Sequence, residues 1–234
     1  MTRASIFPRG ARLLVFTILF ALLDPALAAE GERQVLPVDE ASTDATWLRF
    51  KKRLMEAITA RDTRYLLSIV DPNIRNQSEK ARGVANFRKQ WDIDAADTSL
   101  WRELSSALQL GAAYVKNARQ RLELCAPYLV ARWPADVEPF DHGAIVAREA
   151  VVQAEPSSSS PSLGTLSYNV VSVLDWEIDD KAPGSPQKWV RIQYDGRAGY
   201  VPEEHIRSPV EHAACFVKAG SSWRMVGFGP AGGE

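Results

Sequence analysis

From Trp47 onward, apolar residues recur at helical spacing: Trp47, Phe50, Leu54 and Ile58 share one face, with Lys51, Lys52, Arg53 and Glu56 mostly off it. Ser42, Thr43 or Asp44 is placed to cap that helix. The pattern predicts a second short helix over 63–70, which must stop at Asp71-Pro72 because the residue before a proline is driven out of the helical region. A third helix is predicted over 83–91. A fourth runs from Ser99 through Leu100, Leu104 and Leu108, with Asp97-Thr98-Ser99 as cap and Gly111 as terminating glycine. Trp47, Trp91 and Trp101 are expected in the core of this helical unit, 46–115. Asp92, Asp94 and Asp97 lack the glycine and terminal glutamate of a calcium loop, so they read as a solvated connection and no metal site is expected.

From about Tyr114 the helical period disappears. Tyr128, Leu129 and Val130 with Trp133-Pro134 read as an extended stretch within a connection, 116–142. Strand-like segments follow: a β-branched run from Ile145 to Val152, then Leu163 to Leu166 and Val170 to Leu174. The Pro- and Ser-rich stretch from Glu155 to Pro161 has the composition of a linker but reads as a loop inside one β domain, because strand signals flank it on both sides. A Pro- and Gly-rich loop spans Asp179 to Gln187. Trp189 to Tyr194 alternates as a half-buried strand does, Asp195-Gly196 is a favoured two-residue hairpin turn, and Gly199-Tyr200-Val201 returns. A last hairpin joins Ala214-Cys215-Phe216-Val217 to Trp223-Arg224-Met225-Val226 within 210–234. The fold class expected is therefore α+β: a small N-terminal helical unit, then a small, partly open barrel with an extra C-terminal hairpin.

The N-terminus changes the compartment. Arg3, Arg9 and Arg12 precede an apolar run from Leu13 to Leu23, and Asp24-Pro25 breaks it ahead of the small-residue site Ala26-Leu27-Ala28. This is the pattern of a secretory signal peptide, 1–28, and the apolar run is too short to span a membrane. Residues 29–45 are polar and unpatterned and read as a flexible leader. The mature chain is expected to be periplasmic or secreted, without stable membrane insertion. The chain holds 28 basic and 29 acidic side chains; without Arg3, Arg9, Arg12 and Asp24, 25 and 28 remain. That balance provides no basic face for nucleic acid and no polybasic membrane tether. In an oxidising compartment the two cysteines, Cys125 and Cys215, are expected to pair. Two buried thiols form the competing reading. A catalytic thiol is weaker, since no histidine follows Cys215 and the flanks of Cys125 lack the pattern of cysteine peptidases.

The segments Ala154-Glu155-Pro156 with Ser159, Leu163-Gly164-Thr165-Leu166, Trp189-Val190-Arg191-Ile192 and Asp195-Gly196-Arg197-Ala198-Gly199-Tyr200-Val201 resemble a bacterial SH3 (SH3b) domain over 143–209. The chain departs from that family at Gln153, where an arginine is usual, and in the long insertion Glu177 to Gln187. The flanks Cys125-Ala126-Pro127-Tyr128, Trp133-Pro134, Cys215-Phe216-Val217-Lys218 and Trp223-Arg224-Met225 are similar to exported proteobacterial proteins in which a helical unit precedes an SH3b-like module. The resemblance implies a disulfide tying the start of the barrel to the hairpin after it. It also implies a ligand groove in which Tyr200, Pro202 and His205 occupy the register of the Gly-Tyr-Val-Pro segment.

Three function classes follow. A non-catalytic module of the cell envelope would hold a cell-wall peptide or an extended protein segment on Trp189, Tyr194, Tyr200, Pro202 and His205. Trp189 and Tyr200 are equally consistent with barrel core. A structural or assembly factor would instead dock a protein partner on the helical unit. A hydrolase is disfavoured: the chain has no Gly-x-Ser-x-Gly, no His-Glu-x-x-His and three histidines in all. Glu203-Glu204-His205 reads as a solvated turn, and Asp141-His142 and Glu211-His212 as surface pairs. No cofactor is implied.

Overall fold

The computed structural model describes Met1 and residues 33–76, 82–117 and 119–231. Apart from Met1, the expected signal peptide and the first residues of the leader lie outside this range. In chain order the elements are α1 (Ala45–Thr59), α2 (Thr63–Ile69), β1 (Val70–Arg75), α3 (Val84–Gln90), α4 (Leu100–Gln109), β2 (Ala113–Lys116), β3 (Leu122–Ala126) and α5 (Leu129–Arg132). They continue with β4 (His142–Ile145), β5 (Ala150–Gln153), β6 (Ser162–Leu166), β7 (Val170–Asp179), β8 (Lys188–Tyr194) and β9 (Arg197–Pro202). A 3-10 turn (Glu203–His205), β10 (Ile206–Arg207), β11 (His212–Ala219) and β12 (Ser222–Pro230) complete the chain. The fold is mixed α+β, with five helices and two sheets among the described residues.

Helix α1 starts where Asp44 accepts from the Thr46 and Trp47 amides at 2.7 and 3.2 Å, satisfying donors that the first turn leaves unpaired. The same carboxylate receives Lys218 of β11 at 2.7 Å. Chiefly that bond, with the Thr46 hydroxyl and the two amides, holds its acid far below the usual aspartate range. The apolar face of α1 is buried against strands from the far end of the chain: Trp47 meets Phe216 and Trp223 edge to face, with centroids 5.2 and 5.0 Å apart. Leu54, Leu66, Phe87, Leu100, Leu104 and Leu108 join Phe216, Met225 and Phe228 in one core.

The helices expected over 46–115 do not form a unit with a core of their own. The first sheet has the order β1-β12-β11-β3-β2, so the helices share their core with the C-terminal hairpin instead of closing on themselves. The second helix stops at Ile69, just ahead of Asp71-Pro72, and Val70 already opens β1, which pairs parallel to β12 with Val70 opposite Met225. Pro72 is tolerated there because β1 is an edge strand. The stretch read as extended around Leu129 contains the short helix α5 instead.

The leader is a second correction over its described part, 33–45. Val35 and Ala41 are buried, the Val35 amide donates to the Tyr168 carbonyl at 2.8 Å, and Gln34 bridges Asn169 next to the second sheet. Glu40 accepts from the Tyr114 amide at 2.6 Å and pairs with Arg132. A polar composition concealed a strap whose few apolar residues meet both halves of the molecule. Tyr128 adds to the anchor: its hydroxyl donates to the Val35 carbonyl, and burial pushes its pKa up to about 12.

The second sheet has the order β10-β4-β7-β8-β9-β5-β6. Ile145, Val152, Leu166, Val171, Val190, Ile192, Val201 and Ile206 fill its core. The predicted β8-β9 hairpin forms in the expected register, Val190 opposite Val201, with Asp195 and Gly196 at φ 47° and 72°, the left-handed pair a tight hairpin turn requires. The run Ile145 to Val152 is two strands, β4 and β5, separated by a bend. Glu155 to Pro161 is, as expected, a loop joining β5 to β6. Cys125 and Cys215 are bonded, facing each other across β3 and β11. Among the described residues no helix is long and apolar enough to cross a membrane.

Candidate functional site

The residues proposed from sequence do not form one exposed aromatic face. Trp189 retains 2% of its accessible surface. It points away from Val190 and Ile192, lies opposite Pro202 in the ladder, and donates its indole N–H to Asp180 at 2.9 Å. Asp180 sits in the connection between β7 and β8, so the long insertion satisfies the polar edge that a ligand would otherwise use. Trp189 is therefore a buried residue and not a stacking platform. Tyr194 packs on the second core, with its hydroxyl so near the backbone of Gly164 that a Cβ there would lie 2.0 Å from it. Tyr200, Pro202 and His205 are half-buried. His205 Nε2 stands 3.9 Å from Glu204, and its Nδ1 is buried without a hydrogen-bond partner among the described residues.

An open cleft of about 900 Å³ lies beside this group, between α4 and the edge of the second sheet. Trp176 and Pro186 supply its apolar surface; Arg102, Lys188 and Arg207 face Glu103, Glu177, Glu203, Glu204 and Glu211. Local backbone irregularity positions the tryptophan. The β7-β8 ladder shifts register on both sides of Asp175, and Glu177 adopts φ 57°, so the simple alternation of β7 is lost there. Trp176 consequently packs against the second core while also lining the cleft.

The opposite wall is fixed by contacts between sheet and helix. Arg207 donates to Ser106 of α4 at 3.3 Å and stands 3.8 Å from Glu211. Glu211 accepts from the Ser208 amide at 2.9 Å, and its pKa is raised because lost hydration outweighs that bond and the Arg207 charge. Glu103 pairs with His212 at 3.3 Å. His212 is not paired with Glu211 as a surface group: its ring lies 5.1 Å from Trp91 and 6.1 Å from Phe228, centroid to centroid. His142 bonds Ser172 and the Glu138 carbonyl at 3.1 and 3.0 Å, again without using its neighbour Asp141.

The cleft presents an aromatic wall and carboxylates that outnumber cations, a surface suited to an extended ligand carrying an amine. Sequence reasoning missed Trp176, since it lies between the strand predicted to end at Leu174 and the loop predicted from Asp179. The available signal was the tryptophan itself, at the start of a long insertion. Comparison of the chain with protein-family models, with curated proteins and with solved structures returned no match.

Proposed function

We propose that this chain is an exported, non-catalytic binding protein of the cell envelope, whose segment 143–209 is an SH3-like module and whose ligand is an amine-bearing peptide of the cell wall. The strand sequence β7-β8-β9 with a tight Asp195-Gly196 turn, followed by a 3-10 turn and the short β10 paired to β4, supports the SH3-like reading. The disulfide and the oxidising compartment it requires support export.

The observation that carries the binding reading is the cleft beside Trp176, bounded by Pro186, Lys188, Arg207 and five glutamates. An extended peptide gains rigid aromatic contact area on Trp176 and places its amine among the carboxylates. The ligand position is thus moved from Trp189, which is buried, to the neighbouring cleft.

Co-sedimentation with insoluble peptidoglycan tests this. Wild type is expected to bind saturably, and Trp176→Ala to lose at least tenfold in affinity while keeping its far-UV circular dichroism. Trp189→Ala is expected to alter thermal stability before it alters binding. Absence of wild-type binding, or equal binding by folded Trp176→Ala, contradicts the proposal.

A further inference from the structure

A second cleft, of about 330 Å³, opens on the first sheet, remote in sequence from Trp176 and independent of the peptide reading. Its lining includes Arg75, Arg82, Lys116, Arg119 and Arg121, with Glu123 as its single carboxylate. In a chain of net charge −1 this is a marked segregation of positive charge.

The site is constructed rather than merely basic. Glu123 is 2% exposed and is consumed within the protein: Arg75 grips it through both terminal nitrogens, one at 2.9 Å, and Asn117 Nδ2 donates to it at 2.6 Å. Arg75 also packs close to Gly227, where a Cβ would stand 3.0 Å from its guanidinium. The other end of Asn117 organises the β2-β3 turn. Its Oδ1 accepts the amides of Arg119 and Arg121 at 2.9 and 3.1 Å, and its own amide donates to the Arg121 carbonyl at 2.9 Å. One asparagine, next to Lys116 at the end of β2, therefore ties the backbone of Arg119 and Arg121 to the buried Arg75-Glu123 pair. Those three side chains form no ion pair among the described residues.

We infer that this cleft is a binding site for a phosphate-bearing ligand. Guanidinium groups match phosphate oxygens with paired N–H donors, and the carboxylate that lines the cleft, Glu123, is already neutralised by Arg75. Several cations around one small cavity favour a compact ligand of two or more negative charges over a single carboxylate. A soluble phosphate and a lipid headgroup present the same oxygens.

Calorimetric titration of the purified chain with sodium pyrophosphate at about physiological ionic strength is the test. Saturable binding is expected for wild type, weakened at least tenfold in R119Q/R121Q. Those two side chains are exposed, so the double variant is expected to keep the wild-type circular dichroism and melting temperature. Flotation with phosphatidylcholine vesicles, with and without phosphatidic acid, identifies the source. Arginine-dependent capture by the acidic vesicles assigns a lipid headgroup, and pyrophosphate binding without capture assigns a soluble phosphate. No pyrophosphate binding by wild type, or binding undiminished in the folded double variant, overturns the inference.

Discussion

Two tryptophans of the second sheet divide its surface between them. Trp189 turns its indole N–H to Asp180 and is buried, whereas Trp176 remains partly open on the cleft wall. Beside it, Glu211 offers a pH-dependent handle. Its folded-state pKa is raised, so over the window above its ordinary value of 4.5 the native chain holds more protons than the unfolded chain, and Glu211 makes stability fall as pH rises. Glu211→Gln removes this contribution while keeping an oxygen for the Ser208 amide. The melting temperature of wild type relative to the variant is expected to decline as pH rises above about 4.5; a constant difference would contradict the assignment. Sequence could name Trp189 as half of a groove-or-core alternative and no further. Which alternative holds depends on Asp180 reaching the indole from an insertion whose path no period in the sequence encodes.

At the scale of elements, capping and alternation were legible. Asp44 begins α1, the Thr98 hydroxyl accepts from the Leu100 amide at the start of α4, and Asp195-Gly196 turns β8 into β9. What the pattern could not reveal was pairing between distant segments: β1 follows α2 without a break and finds β12 from the other end of the chain. The strap over 33–45 was missed for a related reason, since Val35 and Ala41 are isolated apolar residues whose burial depends on long-range partners. The Cys125–Cys215 bond spans 90 residues and joins β3 to β11, so the chain-entropy model assigns it about 4.5 kcal/mol. Cys215→Ser is expected to lower the melting temperature under oxidising conditions and to match reduced wild type. Equal melting of oxidised variant and oxidised wild type would contradict the role given to the bond.

The molecule as a whole is built by closing the first core with its last strands. Trp47 of α1 rests on Phe216 and Trp223, and Trp91 of the helical region stacks on Phe228 at 4.6 Å. A chain truncated after residue 209 leaves that apolar surface uncovered and is expected to lose cooperative unfolding of α1–α4; a cooperative, helix-rich truncated chain would contradict the shared core. The two clefts open on opposite chemistries, one aromatic with carboxylates in excess and one cationic, and each lies on a different sheet. The proposed function requires a peptide in the first of them. The most direct measurement is a nitrogen-15 NMR titration of the chain with a soluble, amine-bearing cell-wall stem peptide. Saturable shifts are expected at the Trp176 indole, Lys188, Glu203 and Arg207, with the Trp189 indole little moved. No saturable shift, or shifts confined to residues outside that cleft, would contradict it.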